Sequence, residues 1–207
     1  MFRPMATGRI NDNLYVIRTG IVNFYLYDTG EALIAFDAGL SVWLARAGFK
    51  KLGFDYNRVS HVFLTHSDFD HTGGLRMFEK AKVYISKKEE PMITYKKARK
   101  SFFYNKHIKD CNFMEDSETI QIGSTEVRLA ISPGHTPGSA LYTINDSILI
   151  SGDAISLSGG GNIQPFGFLQ NMNHTESKRT VERLKAEGIF NKMSLIVTGH
   201  HGMINRR

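Results

Sequence analysis

Four times along this chain a short apolar run breaks into a glycine-bearing turn that carries histidine or aspartate, and this recurrence constrains the fold more than any bulk property. The first instance runs from His61-Val62-Phe63-Leu64 into Thr65-His66-Ser67-Asp68-Phe69-Asp70-His71-Thr72-Gly73-Gly74. The second is Ser132-Pro133-Gly134-His135-Thr136-Pro137-Gly138-Ser139, the third Ser151-Gly152-Asp153-Ala154. The fourth is Thr198-Gly199-His200-His201-Gly202, directly after Leu195-Ile196-Val197. Short apolar runs bounded by turn residues read as buried strands, and α/β architectures gather their chemistry at the carboxyl ends of strands. The pattern therefore predicts one cleft into which separate strand ends present imidazoles and carboxylates, the side chains that hold divalent metals.

Taken in this order, and with Leu33-Ile34-Ala35-Phe36-Asp37-Ala38-Gly39 ahead of them, these motifs resemble the metallo-β-lactamase superfamily over nearly the whole chain. The resemblance implies an α+β fold, a four-layer αββα sandwich of two mixed β-sheets, with a one- or two-metal site on the shared edge of the sheets. Carried over position by position, it implies that His66, Asp68 and His135 hold one metal, that Asp70, His71 and His200 hold the other, and that Asp153 bridges them. His200 is taken before His201 because the last ligand of the family directly follows the strand and its glycine; His201 is expected behind the ligand or against substrate. Two divalent ions are implied, zinc first, with manganese or iron as alternatives.

One position departs from the pattern. The commonest form of the motif is His-x-His-x-Asp-His, and Asp68 stands where its second histidine would be. A carboxylate shifts preference toward harder ions such as manganese or iron, and aspartate is shorter than histidine. The flavodiiron branch of the superfamily is similar here, with a glutamate at this place, and it is redox-active. Three arrangements follow: a two-metal site with an acidic first pocket, a one-metal site on Asp70, His71 and His200, or an iron site.

The chemistry implied by the leading arrangement is hydrolysis. A metal lowers the pKa of bound water from 15.7 toward about 7, so a metal-bound hydroxide is the expected nucleophile on a small ester, lactone, thioester or phosphoester. Asp70 or Asp68 is the expected proton acceptor. Asp68 adds a negative charge that cancels the net positive charge of a two-metal core, and the lysines at 96, 97 and 100 are expected to compensate. The alternatives are an iron-dependent redox or oxygen-chemistry protein and a low-turnover metal-binding regulatory protein.

The 207 residues are a single domain's worth of chain, and 42% hydrophobic with 22% charged residues is an ordinary globular composition. No apolar run reaches the roughly 18 residues that would span a bilayer, and the opening lacks the layout of a secretory signal, so a cytoplasmic protein without membrane contact is expected. The lone Cys111 allows no internal disulfide and reads as a small packed side chain. The net charge of +6 is concentrated between Lys80 and Lys109. That stripe fits an anionic small-molecule substrate better than nucleic acid, for which no further motif is present.

Strands are predicted at 13–18, 23–28, 32–36, 82–85, 126–131, 140–144 and 147–150, with helices after Ser41, over 74–79 and over 175–187. The stretch 86–117 is expected to be a basic and aromatic insertion, one or two helices leaning over the cleft, anchored to the core by Phe102, Phe103 and Tyr104. His61, His107 and His174 lie outside the motifs and are read as structural or surface residues.

Overall fold

The structure is a computed structural model that describes residues 2–108 and 110–206. Its first sheet runs in spatial order β1 (Gly8–Arg9), β2 (Leu14–Thr19), β3 (Val22–Asp28), β4 (Leu33–Phe36), β5 (Val59–Leu64), β6 (Lys82–Ser86) and β7 (Cys111–Met114). The first four strands form an antiparallel meander, and β4 to β7 are parallel. The second half of the chain supplies β8 (Thr119–Ile122), β9 (Thr125–Ile131), β10 (Ala140–Ile144) and β11 (Ile148–Ile150), then a separate hairpin of β12 (Ile155–Leu157) and β13 (Ile163–Pro165), then β14 (Leu195–Val197) and β15 (Met203–Asn205). The second sheet has the order β15-β14-β11-β10-β9-β8 and is mixed, because β11 and β14 pair in parallel.

Alternation along the strands makes the layers. On β4, Ile34 and Phe36 face the second sheet while Leu33 and Ala35 face outward; on β5, Phe63 points in and Val62 and Leu64 point out. The second sheet mirrors this: Ala140, Tyr142 and Ile144 of β10 and Leu195 and Val197 of β14 point in, and Leu141 and Ile196 point out. Strands buried on both faces read as continuous apolar runs, which is how they stood in the sequence.

Helix α1 (Val42–Leu52) starts at Ser41, whose hydroxyl accepts from the Leu44 backbone N–H at 3.3 Å, and it covers the outer face of the first sheet with Ala45 and Phe49. Helix α2 (Phe69–Thr72) carries the end of the first motif, and α3 (Glu90–Ile93) lies beyond β6. Helix α4 (His174–Ala186), capped by Asn173, covers the second sheet with Val181 and Leu184, joined by Phe190 of α5 (Ile189–Lys192). The αββα sandwich is the expected architecture.

Two buried tyrosines stitch the sheets in opposite directions. Tyr25 on β3 donates its hydroxyl to the Thr198 carbonyl at 2.6 Å, and Tyr142 on β10 donates to the Leu64 carbonyl at 2.9 Å. Both acceptors lie at strand ends from which the histidine-bearing turns depart. Burial, reinforced by the nearby Asp37 carboxylate, pushes both phenols up, so they remain donors at any pH the fold survives.

Three expectations need correction. The helix predicted over 74–79 is only a single 3₁₀ turn, Leu75–Met77, after the short α2. Gly73 and Gly74 pass so close to the Leu40 and Ala38 carbonyls that no Cβ fits at either, and this packing ends the helix. The stretch 86–117 is not a helical insertion throughout: it holds one 3₁₀ turn, the four-residue α3 and loops, and its last part is β7 and belongs to the first sheet. Phe102, Phe103 and Tyr104 do not anchor it, being 77%, 66% and 52% exposed; among its apolar side chains Met92, Ile93, Ile108 and Met114 are the buried ones. Lys109, at the end of the basic stripe, lies outside the described residues.

Replacing Tyr142 by Phe removes one buried donor and leaves the core volume unchanged. Urea denaturation should show a loss of about 1–2 kcal/mol in unfolding free energy with an unaltered slope, and Tyr25→Phe should behave alike.

Candidate metal centre

The four strand ends meet at one edge of the sandwich. His66 follows β5, His71 lies in α2, His135 follows β9, Asp153 follows β11 and His200 follows β14. All five are buried.

Each histidine is anchored through the same ring nitrogen. His71 Nδ1 donates to Asp37 Oδ2 at 2.8 Å, His200 Nδ1 to the Ile21 carbonyl at 2.7 Å, His66 Nδ1 to Thr65 Oγ1 at 3.0 Å, and His135 Nδ1 to Asn171 Oδ1 at 3.3 Å. Thr65 can accept because its own hydroxyl is donated to Asp37. All four Nε2 atoms are thereby left for the cleft, in the tautomer that a metal-ligating imidazole requires.

Facing them are three carboxylates. Asp153 Oδ2 lies 3.3 Å from His200 Nε2 and 3.6 Å from both His71 Nε2 and His135 Nε2, at the centre of the group. Asp70 Oδ2 is 3.3 Å from His200 Nε2. Asp68 Oδ2 is 3.1 Å from His135 Nε2 and 3.6 Å from His66 Nε2. The ligand atoms fall into three overlapping clusters, each within 4.8 Å: His66, Asp68 and His135; Asp70, His71 and His200; and His66, His71 and Asp153.

The donor set fits a divalent metal. His66 Nε2, His71 Nε2 and Asp153 Oδ1 are buried with no hydrogen-bond partner among the described residues. Buried polar atoms are nearly always satisfied, and a cation is what convergent imidazole nitrogens and carboxylate oxygens would share. His201 is outside this group. Its ring lies half-buried beside Phe2 and Phe166, while His200 reaches the carboxylates. His174 accepts from the Asn171 amide at 3.0 Å, and so stands one residue behind His135. His61 contacts Ser60 and His107 contacts Tyr95, both away from the cleft.

In the metal-free protein the cluster balances itself with protons. Burial lowers the basicity of His71 and His200, but the surrounding carboxylates prevail: Asp37, Asp153 and Asp70 hold His71 well above the usual imidazole range, and Asp153 and Asp70 push His200 up to about 9. Burial works against ionisation of Asp153 and Asp68 too. His200 and His71 nevertheless hold Asp153 well below the usual carboxylate range, and hydrogen bonds with His135 and His66 do the same for Asp68. Burial lowers His135, and the neighbouring His66 adds to that.

Several residues of the site went unnoticed in the sequence. Glu89, just beyond β6, is wholly buried and accepts four hydrogen bonds: from Ser67 N at 3.1 Å, Ser67 Oγ at 2.6 Å, Thr136 Oγ1 at 2.8 Å and Gly138 N at 2.9 Å. It ties the first motif loop to the second. Arg99 and Asn105 lie over Asp68, with Arg99 Nε at 2.8 Å from Oδ1 and Asn105 Nδ2 at 3.0 Å from the same oxygen. The only hint was that Arg99 is the lone arginine among the lysines at 96, 97 and 100; those at 96 and 97 point to solvent.

The cleft in front of these groups measures about 360 Å³. Its polar floor is formed by Asp68, Asp70, His135, Asp153 and His200, and its walls by Phe2, Ile21, Phe69, Phe166 and Leu169. No helix among the described residues is long and apolar enough to cross a membrane.

Comparison with known proteins identifies the family and the fold. The family model described as the metallo-beta-lactamase superfamily matches residues 17–200. Among curated proteins, the chain is 32% identical over 130 residues to a probable polyketide biosynthesis zinc-dependent hydrolase, PksB, of Bacillus subtilis, an alignment covering 61% of this chain and 50% of that protein. It is 41% identical over 49 residues to the mitochondrial persulfide dioxygenase ETHE1 of Bos taurus, covering 23% of this chain and 19% of the other. The chain thus spans half or less of the curated relatives it first matches. Among solved structures, a B3 metallo-β-lactamase with an active-site glutamic acid superposes with a TM-score of 0.74 at 18% identity, covering 99% of this chain and 84% of that one.

Two outcomes follow from the site. Raised histidine pKa values stabilise the metal-free fold fully below the unfolded value of 6.5, and that contribution disappears as pH rises through about 9 for His200. Melting temperatures of the metal-free protein should therefore fall between those two pH values, and zinc binding at pH 7 should release protons, measurable by calorimetry in buffers of different ionisation enthalpy. Separately, Glu89→Ala strands four donors and should cost about 3 kcal/mol in urea denaturation, well beyond the effect of an exposed Glu→Ala such as at Glu115.

Proposed function

This chain belongs to the metallo-β-lactamase superfamily, and from that premise we propose that it is a metal-dependent hydrolase, zinc its ordinary metal, acting on a small ester, lactone, thioester or phosphoester. The observation that carries this reading is the convergence of four Nδ1-anchored imidazoles and three carboxylates in one apolar-walled cleft. His66, Asp68 and His135 would hold one ion, and Asp70, His71 and His200 a second, with Asp153 between them. When bound, such ions supply an activated water and a Lewis acid for the oxygen that gains charge.

The chain's own residues do the rest. Asp70 is the better proton carrier of the two motif aspartates, because its Oδ2 faces only the imidazoles of His200 at 3.3 Å and His71 at 4.0 Å, whereas Asp68 is engaged by Arg99, Asn105 and His135. The walls of Phe2, Ile21, Phe69, Phe166 and Leu169 suit a substrate with an apolar portion beside the scissile bond, and they exclude water around it. Arg99 and Lys100 at the same mouth favour a substrate that is itself anionic.

The relatives support the class of reaction through the printed name of one of them, a zinc-dependent hydrolase. A second reading, iron-dependent oxygen chemistry, draws on the short match to a persulfide dioxygenase and on the carboxylate at position 68. Metal content separates the two: zinc in protein purified without added metal supports the hydrolase, iron the alternative.

Activity should be sought on a panel of acyl thioesters, lactones and phosphodiesters. Turnover should vanish on chelation and return with zinc, and Asp153→Ala should lower kcat/KM by about 10³-fold or more. Turnover that survives both chelation and Asp153→Ala would exclude this cleft as the catalytic site.

A further inference from the structure

The two candidate ion pockets differ in one respect that the motif does not reveal. Arg99, from the loop beyond α3, places Nε at 2.8 and 2.9 Å from the two oxygens of Asp68 and Nη2 at 3.3 Å from His135 Nε2. Nη2 also donates to the Gln170 carbonyl at 2.6 Å, so the guanidinium is held from the opposite side of the cleft. Its side chain is only 16% exposed. Asn105 takes a further share of Asp68 Oδ1 at 3.0 Å, and only Oδ2 is left toward His66 and His135. A guanidinium does not lose its proton in proteins. A permanent positive charge therefore stands against two of the three side chains of the first pocket. The second pocket has no such neighbour: among the described residues Asp70 and Asp153 pair with histidines alone.

We propose that Arg99 is a resident cation of the His66, Asp68 and His135 pocket, so that the chain takes one divalent ion tightly at Asp70, His71 and His200 and a second only against the charge of Arg99. This rests on the reading of the clusters as metal pockets. A unit charge a few ångströms from a divalent ion in a partly buried site opposes it enough to change affinity by about tenfold or more. The same pairing explains how an aspartate is accommodated at position 68 next to other buried carboxylates: its charge is already balanced when the first pocket holds no ion.

The test is a titration of zinc alone into the metal-free full chain, competing with a chromophoric chelator, for wild type, Arg99→Met and Arg99→Lys. The expected wild-type curve has two steps, the second at least about tenfold weaker than the first. Arg99→Met should tighten the weak step by about tenfold or more and leave the strong one in place, while Arg99→Lys, which keeps the charge, should remain near wild type. Two equally tight steps in the wild type, or a weak step that loosens further in Arg99→Met, would overturn the inference and leave the metal reading standing. Absence of zinc binding in all three proteins would overturn both. If Arg99→Met loses the circular dichroism of the wild type, Arg99→Gln provides the same comparison.

Discussion

The cleft depends first on the buried carboxylate of Asp37. This residue follows directly on β4 in a left-handed backbone conformation, with φ of 65°, and is 2% exposed. Its oxygens accept from Thr65 N at 2.7 Å, from Thr65 Oγ1 and from His71 Nδ1. One side chain thus fixes the exit of β5, the rotation of the His71 ring and, through the Thr65 hydroxyl, the tautomer of His66. The backbone repeats the connection, since Asp37 N donates to the Phe63 carbonyl and Ala38 N to that of His71. Without this junction the two strands would end beside each other with their functional groups unaligned.

Around that junction the protein concentrates charge where a core would ordinarily exclude it. Four imidazoles and three carboxylates occupy the rim of a sandwich whose interior is otherwise apolar. Such a group is tolerable because opposite charges face one another and because each outward nitrogen is hydrogen-bonded. The sandwich core, with Phe36, Phe63 and Tyr84 stacked and Tyr142 tilted against them, supplies the stability that this rim consumes. A bound cation would exchange mutual compensation by protons for compensation by metal, which couples occupancy of the cleft to the stability of the fold.

Much of this was legible in the sequence, for a physical reason. Strands such as Leu33–Phe36 and Leu195–Val197 are buried on both faces, so their apolar runs stand out, and residues of the candidate site follow them directly. The short edge strands β1, β8 and β15, with more exposed residues, carried no comparable signal. The anchors of the site were hidden differently. Glu89 meets Ser67 across 22 residues, Arg99 meets Asp68 across 31, and Asn105 meets Asp68 across 37. Such pairings have no periodicity, because they are set by where the chain returns after a loop. The aromatic residues at 102–104 misled for a related reason: hydrophobicity signals a wish for cover, and here the nearest core was already filled by Met92, Ile93 and Ile108.

The segment between β6 and β7 leaves and re-enters the sheet on adjacent parallel strands, with Val83 opposite Cys111 and Ser86 opposite Met114. Its two ends are therefore held at a fixed, short separation by the sheet itself. Lengthening the loops between those ends adds a closure entropy that grows slowly with length, and it leaves the register of every other strand untouched. Glu89 at its start, the buried Met92, Ile93 and Ile108, and Arg99 and Asn105 on Asp68 are what bind it to the rest of the molecule. The fold thus contains a socket in which selectivity can diverge in evolution, or be transplanted by a designer, while the strand ends that carry the histidines stay as they are.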